Sequence, residues 1–109
     1  MKHDEIIEDL IYRLQKSRPN GKSFDHLNFC NNGSYGETDL AFIDDKLLYL
    51  VEVKTNDSIS SRKKAIQQLK KDYNYFISCN DIDRIFAFYA YKSNKNKRKY
   101  YVELINLFS

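Results

Sequence analysis

The sequence predicts an α/β (α+β) domain, a sheet flanked by helices, because two hydrophobic periods alternate along it. Apolar residues recur at helical spacing in two stretches and at strand-like spacing in five, in the order α-β-β-β-α-β-β. No repeat, long linker or shift of composition divides the chain, so residues 1–109 read as a single domain.

The first helix is expected over His3–Gln15, where Ile7, Leu10, Ile11 and Leu14 form one stripe. Pro19 disfavours helix in the residue before it, and Asn20-Gly21 is a turn pair, so "SRPNGKS" ends the helix. "SFDHLNFC", with Phe24, His26, then Leu27 and Phe29, predicts a strand, and "NNGSYG" a loop. Two further strands, Glu37–Asp44 and Leu47–Thr55, make a hairpin around Asp45-Lys46. Ile66, Leu69, Tyr73 and Phe76 then mark a second amphipathic helix over Ser60–Ser78, opened by Ser and Asp residues suited to capping. "RIFAFYAY" and "YYVELINLF" are the last two strands, joined by the polar, basic "KSNKNKRK".

At 42% hydrophobic and 30% charged, the chain has the composition of a globular protein with a modest core. Its net charge of +3 argues for nucleic acid only where the charge is clustered. "MKHDEIIEDL" lacks the apolar segment of a signal peptide, and no run is long enough to span a membrane. The expectation is a cytoplasmic protein with no membrane partner, in which Cys30 and Cys79 stay reduced. Abundant Lys, Asn, Ile and Tyr point to an AT-rich genome, such as that of a virus or mobile element.

The hairpin poses the functional question. With Asp45-Lys46 as the loop, Asp39 faces Glu52, and Glu37 faces Lys54. Ala41, Ile43, Leu48 and Leu50 share the face of these charges, while Leu40, Phe42, Tyr49, Val51 and Val53 fill the other. A strand apolar on both faces is a central one, so the charges sit at the end of a buried strip. Two facing carboxylates repel by roughly 1 kcal/mol at about 4 Å even in water. Lys54, a retained proton, or a bound divalent cation would offset that, and clustered carboxylates suit Mg²⁺ or Mn²⁺.

Asp39, the hairpin, and then Glu52-Val53-Lys54 resemble the motif of the PD-(D/E)XK nuclease superfamily, and the resemblance covers nearly the whole chain. "GETDLAFIDDKLLYLVEVKT" is also similar to the small members related to archaeal Holliday junction resolvases, although Thr38 stands where the eponymous motif has Pro. The resemblance implies a restriction-endonuclease-like core with a central mixed sheet. It also implies Mg²⁺- or Mn²⁺-dependent hydrolysis of phosphodiesters in nucleic acid, DNA before RNA. Asp39, Glu52 and the Val53 carbonyl would then hold the metal, and Lys54 would orient or activate the attacking water. A Glu from the first helix often joins such sites: Glu8 is the candidate, with Glu5 as the alternative. Gln68, or else Gln67, would be contributed by the second helix. His26 is open between a ligand or general acid and an ordinary packed side chain.

Lys92, Lys95, Lys97, Arg98 and Lys99 crowd one loop without an acid among them, which favours contact with phosphates. Arg62, Lys63 and Lys64 form a second basic cluster at the start of the second helix, with Lys70 and Lys71 further along. Phosphate contacts carry no sequence readout, so recognition of structure, or weak specificity, is expected. A chain this small presents one active site, so cutting two strands suggests a homodimer, with the terminal strand as a candidate edge for pairing. The alternative function is a catalytically inactive nucleic-acid-binding module of the same fold.

Overall fold

A computed structural model describes residues 1–31, 34–79 and 81–108. The elements follow in the order α1 (His3–Ser17), β1 (Lys22–Asn31), β2 (Ser34–Asp44), β3 (Leu47–Lys54), α2 (Ile59–Phe76), β4 (Arg84–Lys92) and β5 (Tyr100–Ile105). The strands form one five-stranded sheet in sequence order. β3 and β4 are parallel and every other pair is antiparallel, so the architecture is α+β with a mixed sheet. A parallel pair needs a crossover, and α2 supplies it.

The two helices lie on opposite faces. Ile6, Ile7 and Leu10 of α1 pack on Leu40, Val51, Val53 and Ala90. Leu69 and Phe76 of α2 pack on Ala41, Leu48, Leu50 and Ala87. β3 is therefore covered on both sides, which its nearly continuous apolar run from Leu47 to Val53 requires. Ser58 caps α2 by accepting the Ser61 amide at 3.0 Å.

The β2–β3 turn falls at Asp45-Lys46, with Asp44 opposite Leu47. Asp45 takes φ 57, the left-handed conformation that a two-residue hairpin asks of its first residue and that Asp tolerates. Two strand ends lie furthest from the sequence reading. β2 begins at Ser34, so Tyr35 and Gly36 extend the ladder with β1; of the loop expected at "NNGSYG", residues 32 and 33 lie outside the described residues. Gly36 is required there, because a Cβ would meet the Phe29 ring at 2.5 Å. At the other end, β5 stops at Ile105. Leu107 turns back into the α2 cluster, and Phe108, largely exposed, lies against Tyr73, so "NLF" leaves the sheet and gives Leu107 to the core.

Leu69 is fully buried at the centre of the α2 face. Leu69→Ala is expected to lower the unfolding free energy by about 2–5 kcal/mol, seen as an earlier urea midpoint at unchanged slope.

Candidate active site

The β2–β3 ladder runs from Asp44↔Leu47 to Leu40↔Val51 and stops one residue short of Asp39 and Glu52. On the other side of β2, the β1 ladder also skips one pair, His26 and Asp39, although the register is the same before and after it. His26 has φ 50. Here the alternation of faces inverts. Phe24 is the partner of Ala41, under α2, yet Leu27 also packs toward α2, with Thr38 as its partner. Thr38 thus lies beside Asp72 of α2, and Asp39 turns toward the start of α1. The expectation that Asp39 shares the face of Ala41 and Ile43 is corrected accordingly: the left-handed residue opposite Asp39 rotates both strands out of phase.

Freed from the ladder, the Asp39 carboxylate takes over main-chain bonding. Its Oδ2 accepts the Val53 amide at 2.9 Å and lies 3.3 Å from His3 Nε2. Its side chain is 13% exposed. Glu52 is 5% exposed, and Lys54 Nζ lies 3.6 Å from its Oε1. Burial, reinforced by the nearby Asp39 carboxylate and only partly relieved by Lys54, pushes the Glu52 carboxyl up to about 9. Glu37 does not reach Lys54; its Oε1 lies 3.1 Å from His26 Nδ1.

α2 brings a further acid that the sequence reading missed. Asp72 is fully buried, and burial pushes its carboxyl up to about 7 even though the hydrogen bond from Gln68 favours the charged form. Gln68 Nε2 donates to Asp72 Oδ1 at 2.9 Å and to the Glu37 carbonyl, and so ties α2 to the displaced stretch of β2. Among the described residues, three buried side-chain atoms have no hydrogen-bond partner: Thr38 Oγ1, Glu52 Oε2 and Asp72 Oδ2. Asp39 acts electrostatically on both Glu52 and Asp72, and Asp72 on Glu52, so the three acids form one cluster. Asp72 was legible in principle: it follows Ala65 and Leu69 in the buried stripe, a place where a carboxylate is out of character.

The first turn of α1 closes this end of the sheet with His3 and Asp4 rather than with a Glu. Glu8 and Glu5 are exposed and make no hydrogen bond or ion pair with any described residue. His26, Glu37 and Asp39 offer donor atoms within 4.8 Å of one another, as do His3, Asp4 and His26.

The basic residues divide into two kinds. Lys95, Lys97, Arg98 and Lys99 are exposed and Lys92 is half-buried, and none has an acidic partner among the described residues. Their loop lies at the same end of the sheet as the acids: Lys54 pairs with Tyr91, and the Met1 ammonium donates to the Lys97 carbonyl. Lys63 and Lys64 are likewise exposed. Arg62 is committed elsewhere. It forms a two-pronged pair with Glu103 at 2.7 and 3.2 Å, lies 3.6 Å from Asp57, and stacks over the Tyr89 ring at 4.9 Å. Those contacts commit its guanidinium to Glu103, Asp57 and Tyr89, whereas Lys63 and Lys64 have no acidic partner among the described residues.

Compared with family models, with characterised proteins and with solved structures, the chain matches none. No helix among the described residues is long and apolar enough to cross a membrane. Cys30 and Cys79 are free and exposed.

The buried acids make stability depend on pH. Glu52 titrates near 4.5 when unfolded and near 9 when folded, so between those values the folded chain holds the extra proton and loses stability as pH rises. Asp72, raised from 3.8 to about 7, has the same sign at lower pH. With chelator present, the urea midpoint is expected to fall from about pH 5 to about pH 9, and Glu52→Gln to flatten the upper part of that fall. Arg62→Ala is expected to cost about 1–3 kcal/mol in the same unfolding assay, because it unties α2 from β5.

Proposed function

We propose that this chain is a divalent-cation-dependent nuclease of the PD-(D/E)XK kind, hydrolysing phosphodiester bonds in DNA with structure-based or weak sequence specificity. One observation carries the reading: Asp39, Glu52 and Lys54 meet where β2 parts from β3, and buried Glu52 Oε2 has no partner. The residues fit a cation. An acid raised to about 9 is protonated at neutral pH, and a cation restores its charge while occupying the orphaned oxygen.

Asp39, Glu52 and the Val53 carbonyl would hold Mg²⁺ or Mn²⁺, which when bound supplies a water of lowered pKa and charge stabilisation at the phosphate. Lys54 places an ammonium beside the carboxylates, where it orients the attacking water and offsets charge growing on the phosphate. Asp39 also acts on the backbone, because by accepting the Val53 amide it fixes the strand that carries Glu52, Val53 and Lys54. Gln68 acts on position, steadying Glu37 and Asp72 rather than touching substrate. The loop bearing Lys92, Lys95, Lys97, Arg98 and Lys99 would hold the phosphate backbone, with Lys63 and Lys64 beside the start of α2. β5 is an edge strand that exposes Tyr101, Val102 and Leu104, the surface on which a second copy would bring two centres to one duplex. The same basic loop also favours a second reading, a binding module of this fold without catalysis.

The test is cleavage of labelled linear duplex, single strand and four-way junction with Mg²⁺, Mn²⁺ or chelator. Cation-dependent cutting is expected, reduced by about a hundredfold or more in Glu52→Ala and Lys54→Ala. Lys97→Ala with Arg98→Ala is expected to weaken binding on every substrate and to lower its salt dependence. Binding without cutting under every cation would leave the binding module standing.

A further inference from the structure

Two imidazoles and one carboxylate converge at the first turn of α1, apart from Glu52 and Val53. His3 Nδ1 lies 3.4 Å from Asp4 Oδ1, and His26 Nε2 lies 3.2 Å from the same oxygen. Three donors around a tetrahedral ion at 2.0–2.1 Å stand about 3.3 Å apart. The far nitrogen of each ring also faces a carboxylate: His3 Nε2 is 3.3 Å from Asp39 Oδ2, and His26 Nδ1 is 3.1 Å from Glu37 Oε1.

Neutral rings alone cannot meet that arrangement; a ring meets it either as an imidazolium, which Glu37 and Asp4 favour at His26, or by binding an ion. A neutral imidazole has one N–H, so each ring can donate to one carboxylate and must turn a lone pair on the other. An ion at the point where the two rings and Asp4 converge resolves both conflicts at once. Each ring then gives its lone pair to the ion and its single N–H to the carboxylate behind it, the usual support for a metal-binding histidine. The positive end of α1 opposes a cation here, but Asp4, Glu37 and Asp39 supply three negative charges against it. Asp4 and His26 are exposed, which leaves room for water as the fourth ligand.

We propose that His3 Nδ1, His26 Nε2 and Asp4 Oδ1 bind a divalent transition-metal ion of the zinc type. Imidazole donors select such ions over Mg²⁺. The site shares no donor with Asp39, Glu52 and Val53, and it stands whether or not the chain cuts DNA. Its ion would brace β1 against α1 where His26 leaves the ladder.

The experiment is Zn²⁺ titration of the wild-type chain labelled with ¹⁵N-histidine, read by NMR, with Co²⁺ uptake followed by visible absorption in parallel. Zn²⁺ is expected to shift His3 Nδ1 and His26 Nε2 while the opposite nitrogen of each ring stays protonated. Co²⁺ is expected to give the absorption of a four-coordinate site, weakened at least about tenfold in His3→Ala and in His26→Ala and retained in Glu52→Ala. Unchanged histidine resonances would overturn the proposal. So would a shift at His26 Nδ1, which would move the ion to Glu37 and Asp39, or uptake abolished by Glu52→Ala alone. The wild-type NMR arm decides even if a variant fails to fold.

Discussion

The pair His26–Asp39, opposed in register but absent from the ladder, is the constraint on which the site depends. A strand normally alternates its side chains strictly, and a hairpin cannot send two successive functional groups to chosen faces. With φ 50, His26 relaxes that rule for one residue on each strand without adding a residue to either. Thr38 thereby reaches α2, Asp39 reaches both α1 and the Val53 amide, and Leu27 and Phe29 regain the core under α2. A left-handed residue that is not glycine costs backbone energy, and such costs are tolerated where surrounding packing holds them in place. Here Phe29 stacked on Tyr75, just beyond the inversion, supplies that packing on one side.

The second consequence is electrostatic. The inversion gathers Asp39, Glu52 and Asp72 into one cluster in which two of the three are almost wholly buried. Lys54 is the cation at hand, and at 3.6 Å it does not return Glu52 to its ordinary range. Arg62, at the start of α2, is taken by Glu103 and Asp57. A buried acid that has neither a full ion pair nor a full set of hydrogen bonds lowers stability. A fold selected for stability alone would replace Glu52 with the Val that its flanking positions hold. Glu52, with its buried Oε2 unpartnered, is thus not explained by anything it contributes to folding.

The sequence made the skeleton legible because the signals were local: helical stripes in α1 and α2, and a turn at Asp45-Lys46 that set the register. Asp39, Glu52 and Lys54 were legible for the same reason, as charges in an apolar hairpin. The phase inversion was not, since nothing in "SFDHLNFC" fixes a backbone angle, although the slip from Phe24 to Leu27 and Phe29 was its trace. Asp72 and His3 were missed although both stand in apolar stripes, Asp72 after Leu69 and His3 one turn before Ile7. Arg62 looked like its neighbours Lys63 and Lys64. Only the fold sets Glu103 of β5 and the Tyr89 ring of β4 against it, and no sequence period carries that information.

The first turn of α1 ties these parts together. Met1 bonds the basic loop at Lys97, His3 meets Asp39, and Asp4 meets His26, so the first four residues touch three separate segments. Further along the helix, Asp9 accepts the Tyr100 hydroxyl at the start of β5. A helix docked by its apolar face alone can slide along a sheet, because burial has no direction. These polar contacts fix where α1 stops, and with it the spacing between the basic loop and the acids. On the nuclease reading, that spacing decides whether a backbone held by Lys97 and Arg98 presents its phosphate to Asp39 and Glu52, since misplacement by about 1 Å can cost a hundredfold in rate.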